Sequence, residues 1–69
     1  METIRVTVNG DARTIARGVT VSGLLDALGL HPRMVVVEHN REILDRARLD
    51  AVEVREGDSL ELVHFVGGG

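Results

Sequence analysis

The stretch TVSGLLDALG, residues 20–29, decides the fold because it predicts one amphipathic helix in a chain otherwise patterned as strands. The Thr20 hydroxyl can cap the first turn, and Val21 begins an apolar stripe with spacings of three and four residues. Gly29 follows at the position where a left-handed residue commonly ends a helix. The stripe continues through Leu24, Leu25 and Leu28. One helix can cover only one face of a sheet, so the other face should stay partly open.

Strands are predicted on both sides of this helix, from period-two alternation upstream and short apolar runs downstream. Asn9-Gly10 indicates a tight hairpin, and REGD (55–58) a second tight turn with a left-handed Gly57. A short helical or 3₁₀ turn is expected within 45–54, with Leu49 and Val52 packed inward. The predicted strands are residues 3–8, 12–16, 34–40, 42–44 and 59–66. The third strand is the most hydrophobic and is expected at the centre of the sheet, and the fourth at its edge.

Composition excludes several classes of function. A chain of 69 residues has room for one small core and none for a deep enclosed active site. Without cysteine it cannot form disulfides, zinc–thiolate sites or iron–sulfur clusters, which fits a reducing cytoplasm. A net charge of −3 and a single aromatic residue argue against nucleic-acid binding, and no apolar run is long enough to cross a membrane. The three histidines lack metal-ligand spacing, so no metal site is predicted.

The last strand leads directly into the glycines of FVGGG, residues 65–69. Alternation along this strand turns Leu60 and Leu62 toward the helix, which leaves Val63 and Phe65 on the open face beside the tail. We predict that these two residues and Val66 contact a partner; the alternative is that Phe65 packs locally at the sheet end. A folded domain is expected over residues 1–66, with a flexible glycine tail at 67–69.

The whole chain resembles a known family of carrier proteins. The segments that carry the resemblance are the Asn-Gly hairpin, TVSGLL (20–25), VVVEHNREIL (35–44) and VREGDSLELVHFVGGG (54–69). Together and in this order they are similar to the ThiS family of sulfur carriers from thiamine biosynthesis. This resemblance implies the ubiquitin-like β-grasp fold, an α+β architecture with a mixed sheet of four to five strands and one main helix on one face.

The resemblance also implies a mechanism that needs no catalytic side chain. A ThiF-like enzyme would use ATP to adenylate the terminal carboxylate of Gly69, which Gly68 and Gly67 precede. Sulfur from a cysteine desulfurase relay would displace AMP and leave a thiocarboxylate. A ThiG-like thiazole synthase would take that sulfur. The chain would thus be a protein cosubstrate without a bound cofactor, and not an enzyme.

Three alternatives remain open at this point. The small subunit of molybdopterin synthase would share the fold, the tail and the thiocarboxylate but deliver sulfur to a pterin precursor. A ubiquitin-like modifier would join its terminus to other proteins; self-linked chains are excluded, because the sequence contains no lysine. A β-grasp RNA-binding module would make the glycines incidental, but the acidic balance and the missing aromatics disfavour it.

Overall fold

Residues 2–65 are described by the computed structural model of this chain. This part forms a five-stranded sheet with strand order β2-β1-β5-β3-β4, crossed by helix α1. β1 and β5 run parallel and the other neighbours run antiparallel, so the predicted mixed sheet is confirmed. The elements are β1 (Thr3–Val8), β2 (Asp11–Ala16), α1 (Val21–Ala27), β3 (Val35–His39), β4 (Glu42–Ile43) and β5 (Ser59–His64), with 3₁₀ turns at Pro32–Met34 and Arg46–Arg48.

The helix begins and ends as its sequence predicts. The Thr20 hydroxyl accepts the backbone N–H of Gly23 at 3.1 Å, which satisfies one unpaired donor of the first turn. At the other end Gly29 has a φ of +73°, and the next residue, Leu30, donates its N–H to the Leu25 carbonyl at 2.9 Å. Gly29 itself donates to the Asp26 carbonyl at 3.0 Å. These two bonds make a Schellman motif, in which only glycine is comfortable at the left-handed position.

The core lies between α1 and one face of the sheet. Every second residue of β1 is buried, and the same alternation holds in β5 and at the start of β3. The loop after β4 closes the core from the side with Leu44, Leu49 and Val54. The remaining buried residues are Ile4, Val6, Val8, Val21, Leu24, Leu25, Val35, Val37, Leu60 and Leu62. The second face of the sheet is left open, as one helix requires.

Three strand predictions were wrong in detail. The centre of the sheet is β5 and not β3, because β5 crosses over to pair in parallel with β1 and inserts between β1 and β3. β3 is hydrophobic for another reason: Val36 lies on the open face between the buried Val35 and Val37. The last strand ends at His64 and not at residue 66, and Met34 belongs to a 3₁₀ turn. The predicted boundary between domain and tail lies outside the described residues and stays a prediction.

Candidate functional site

The beginning of β5 is positioned by one carboxylate, that of Asp58 in the REGD turn. Oδ2 of Asp58 lies 2.7 Å from Nε2 of His39 and accepts the backbone N–H of Arg55 at 2.9 Å. Oδ1 accepts the Asn40 side-chain amide at 3.1 Å. The turn before β5 is therefore tied to the end of β3, and both side chains of the His39–Asp58 ion pair are largely buried.

These contacts determine how Asp58 titrates. Burial by itself raises the pKa of Asp58, but the hydrogen bond from His39 and those from Arg55 and Asn40, with the charge of His39, outweigh it. The net pKa of Asp58 is below its ordinary value of 3.8. A carboxyl whose pKa is lowered by folding stabilises the fold above its unfolded pKa, and this contribution disappears as the pH falls through the folded pKa.

We therefore expect Asp58→Asn to lower the free energy of unfolding by about 1–3 kcal/mol at pH 7, since charge-assisted hydrogen bonds are lost. The difference between wild type and variant should shrink as the pH drops below about 4. Urea unfolding between pH 2.5 and 7 measures it, with the exposed Asp50→Asn as control. A difference that stays constant over this range would show that Asp58 does not act through its charge.

The middle of β5 is held by the side chain of Asn9. Oδ1 of Asn9 accepts the Leu62 N–H at 2.7 Å, and Nδ2 donates to the Leu62 carbonyl at 3.3 Å. The amide thus pairs with β5 as a further residue of β1 would. Asn9 also has a φ of +50°, which asparagine tolerates better than most residues. The Asn-Gly turn therefore reverses the chain and also anchors the strand that leads to the tail.

The end of β5 carries an exposed apolar strip. Phe65 donates its N–H to the Met34 carbonyl at 2.8 Å, which extends the β3–β5 ladder by one pair, and Val36 lies opposite Val63. The exposed fractions of Phe65, Met34, Val63 and Ile43 are 44%, 38%, 59% and 72%. We call these four residues and the half-buried Val36 the docking face. Exposed apolar side chains that cluster in this way are typical of protein interaction sites.

The predicted site residues fall into two groups. Val63 and Phe65 are exposed, as the alternation in the last strand predicts, and neither packs against the core. That exposure favours contact with a partner over local packing of Phe65, although the contact itself stays a prediction. Val66, Gly67, Gly68 and Gly69 lie outside the described residues. Sequence reasoning missed Met34, Val36 and Ile43. Nothing local to β3 indicates the register that places Met34 and Val36 beside β5, or that Ile43 of β4 lies on the far side of β3.

Other kinds of site are not found in the described part of the chain. Across residues 2–65 no group of acidic or histidine side chains could hold a metal ion. Over the same range no helix has the length and apolar character needed to cross a membrane. Two histidines in this range have structural contacts: His39 is engaged by Asp58, and Nδ1 of His31 accepts the Arg33 N–H at 3.1 Å.

Comparison with known proteins agrees with this architecture. The ThiS family model matches residues 6–69. A sulfur carrier protein ThiS from Bacillus subtilis is 44% identical over 50 residues, which cover 72% of this chain and 76% of that protein. A crystal structure of a thiamine biosynthesis protein (ThiS) from Geobacter metallireducens superposes with a TM-score of 0.82 at 40% identity, covering 96% of this chain and all of the other.

Longer relatives also match. Thiazole synthases from Magnetococcus marinus and Paramagnetospirillum magneticum are 39% and 41% identical over 66 residues, 96% of this chain. The chain spans 20% of the length of each of these relatives. A segment similar to this chain is therefore also found within proteins named thiazole synthase.

Proposed function

The chain belongs to the ThiS family of sulfur carrier proteins of thiamine biosynthesis, and from this premise we propose that its reacting group is the α-carboxylate of Gly69. An adenylating enzyme activates this carboxylate, sulfur replaces one of its oxygens, and thiazole synthase receives the sulfur. The observation that carries the proposal is the family match, which extends through the last glycine. The carrier holds no cofactor of its own, and ATP is bound by its partner.

The chemistry requires activation from outside the carrier. A carboxylate is a poor electrophile because its charge is delocalised and it has no good leaving group. Attack of a carboxylate oxygen on the α-phosphorus of ATP releases pyrophosphate and forms an acyl adenylate, which divides one difficult step into two easier ones. The terminal persulfide sulfur of a cysteine desulfurase relay then attacks the acyl carbon and AMP departs. A second thiol of the relay reduces the resulting acyl disulfide, which releases the thiocarboxylate and leaves a disulfide on the relay protein. Glycine suits this position because it has no Cβ to block the approach of the nucleophile.

The docking face lies where such a reaction needs it. Phe65 is the last described residue, and four more residues reach Gly69. At about 3.3–3.6 Å per extended residue they span roughly 14 Å. Ordering the tail costs on the order of 1–2 kcal/mol per residue, so contacts made by the folded body must offset that cost. Val63 and Phe65 are the apolar groups closest to the tail among the described residues, and with Val66 we assign them to the contact with the adenylating enzyme.

Replacing Phe65 with Ser is expected to raise the KM of the adenylating enzyme for this carrier by about tenfold or more, with kcat little changed. Loss of a large apolar contact at an interface centre commonly costs more than 1 kcal/mol, and tenfold corresponds to about 1.4 kcal/mol. Steady-state pyrophosphate exchange measures both constants. Phe65→Leu, which keeps an apolar side chain, should retain most of the affinity. Equal KM values for the Ser variant and the wild type would remove Phe65 from the interface.

Thiazole synthase is the acceptor that the comparisons support. Segments similar to this chain occur within thiazole synthases of two organisms, which links this kind of domain to thiazole formation. A molybdopterin-type acceptor lacks such support. Offering the thiocarboxylate form to purified thiazole synthase and to a molybdopterin synthase large subunit, each supplied with its own sulfur-accepting substrate, should return the free carboxylate only with the former. We also place the carrier in the cytoplasm, where a chain without cysteine needs no oxidising environment.

Intact mass spectrometry tests the proposal directly. The full chain is incubated with ATP, the adenylating enzyme, and then a desulfurase with cysteine and a thiol reductant, which cleaves the intermediate acyl disulfide. The expected products are an adenylate, followed by a species in which one oxygen has been replaced by sulfur, and fragmentation should locate the change at Gly69. A chain that gains neither modification, or gains sulfur elsewhere, would contradict the proposal.

A further inference from the structure

Two glutamates face each other on the open side of the sheet, beside the docking face. Glu38 of β3 and Glu61 of β5 are direct partners in the antiparallel ladder, next to the Val36–Val63 pair. Directly opposite residues of such a ladder have their Cβ atoms about 4.5–5.5 Å apart, and like charges there repel. Glu61 is exposed and Glu38 is half-buried. The free carrier therefore contains an unfavourable pair of charges in the middle of its open sheet face.

No cation compensates this pair within residues 2–65. The ion pairs there join Arg17 to Glu2 and His39 to Asp58, and neither involves Glu38 or Glu61. Arg5 shares the open face but pairs with the turn before β5 through its backbone, with Gly57 N–H donating to its carbonyl at 2.8 Å. Arg5 therefore lies beside Gly57 in the turn before β5, and Gly57 precedes Glu61 by four residues.

The neighbours of the two glutamates are apolar on β4 and toward the tail, while away from the tail the backbone N–H of Asn40 donates to the Ser59 carbonyl, so the next pair is polar. On β4, Ile43 is the ladder partner of Glu38. Toward the tail come the Val36–Val63 pair and then the bonded Met34 and Phe65. The face therefore changes from apolar to acidic in one step of the ladder. A surface that covers the apolar residues would also bring its own side chains against the two carboxylates.

We propose that an apolar surface of the adenylating enzyme packs against the docking face, and that one arginine side chain of the enzyme binds between Glu38 and Glu61. This inference rests on the proposed function. A guanidinium is planar and presents several N–H donors, so it can bind two carboxylates at once with charge-assisted hydrogen bonds. Repulsion between the glutamates in the free carrier is relieved in the complex, so the charge pair favours this partner over a purely apolar one.

The ladder also sets the position of that arginine. Val63 is the second residue after Glu61, and Phe65 is the fourth. At about 3.4 Å per residue, the arginine lies roughly 7 Å beyond the valine pair and roughly 14 Å from the root of the tail. An arginine held at this distance fixes how far the tail can enter the active site. The charge pair thereby fixes the position of the carrier along the enzyme surface.

The test variant carries two substitutions, Glu38→Gln and Glu61→Gln. The control variant removes the same number of charges outside the docking face, through Glu42→Gln and Glu53→Gln. Both control positions are exposed. For the test variant, the KM of adenylation should rise tenfold or more at low salt while kcat changes less than twofold. Wild-type KM should rise with salt, and the salt dependence should be weaker in the test variant, since fewer charges meet across the interface. Thermal unfolding should occur at the same or a higher temperature.

Several results would overturn the inference. A KM within twofold of wild type would do so, and so would an equal rise in the control. Self-association of the test variant in sedimentation, with KM unchanged, would instead show that the glutamates keep the apolar strip from pairing with other copies. If wild type is adenylated normally while the test variant is unaffected, only this inference fails. If wild type is not adenylated at all, the proposed function fails with it.

Discussion

Deleting Gly69 is expected to reduce adenylation of the carrier by at least a hundredfold in kcat/KM. The deletion leaves a terminal carboxylate on Gly68, so a chemically competent group is still present. It withdraws that group by about 3.3–3.6 Å from the α-phosphorus of ATP, however. Because misplacing a reacting group by about 1 Å can cost a hundredfold, the shortened tail should fail at the chemical step.

Two measurements distinguish a tail that is too short from a loss of folding or of binding to the enzyme. Pyrophosphate exchange gives kcat and KM, and urea unfolding reports the stability of the folded body, which should be unchanged. Gly67→Ala keeps the tail length and serves as the control for altered tail composition. Adenylation of the shortened chain at the wild-type rate would contradict the assignment of Gly69 as the reacting residue, and a binding module that does not use its tail would give that result.

Truncating Leu60 to Ala is expected to lower the free energy of unfolding by about 2–5 kcal/mol, more than the other substitutions proposed for this chain. Leu60 is completely buried in the central strand, between its ladder partners Val8 and His39. The lost apolar contact and the cavity left behind both contribute. A domain of this length has a total stability of roughly 3–10 kcal/mol, so the variant should be partly or wholly unfolded at 25 °C.

Val63→Ala on the same strand is the matched control. Val63 is mostly exposed, so its truncation should change the free energy of unfolding by less than about 0.5 kcal/mol. Urea unfolding followed by circular dichroism at 222 nm compares the two. Equal destabilisation by both substitutions would mean that β5 does not alternate between the core and the open face.

Local features of the fold could be predicted from the sequence because their causes are local. The helix over Val21–Ala27 follows from the Thr20 cap, the apolar stripe and the left-handed Gly29, and all three were confirmed. The alternation of Leu60 and Leu62 with Val63 assigned each side of the last strand before its neighbours were known. Turns at Asn9-Gly10 and Gly57 have the positive φ angles that their residues favour.

The order of the strands could not be predicted in this way. The hydrophobicity of β3 predicted that it lies at the centre of the sheet. Composition alone, however, cannot distinguish a valine-rich strand buried on both faces from one whose second face is exposed. Pairing between β1 and β5 joins residues more than fifty positions apart, and no local pattern encodes it. The opposition of Glu38 and Glu61 depends on the register of β3 against β5, as does the placement of Met34 and Val36 beside the last strand. Ile43 joins them through the pairing of β4 with β3.

The sequence by itself determined the helix, the turns, the sides of each strand, the family and the one glycine, Gly69, that is proposed to react. Each of these depends on backbone preference, side-chain period or covalent order over a few residues. Only the tertiary structure decided that β5 is central, that Asp58 and Asn9 hold it in place, and that an apolar strip with an acidic pair adjoins the tail. These features depend on which residues distant in sequence pair with each other. The pairing is determined by the burial of one shared apolar core beneath a single helix.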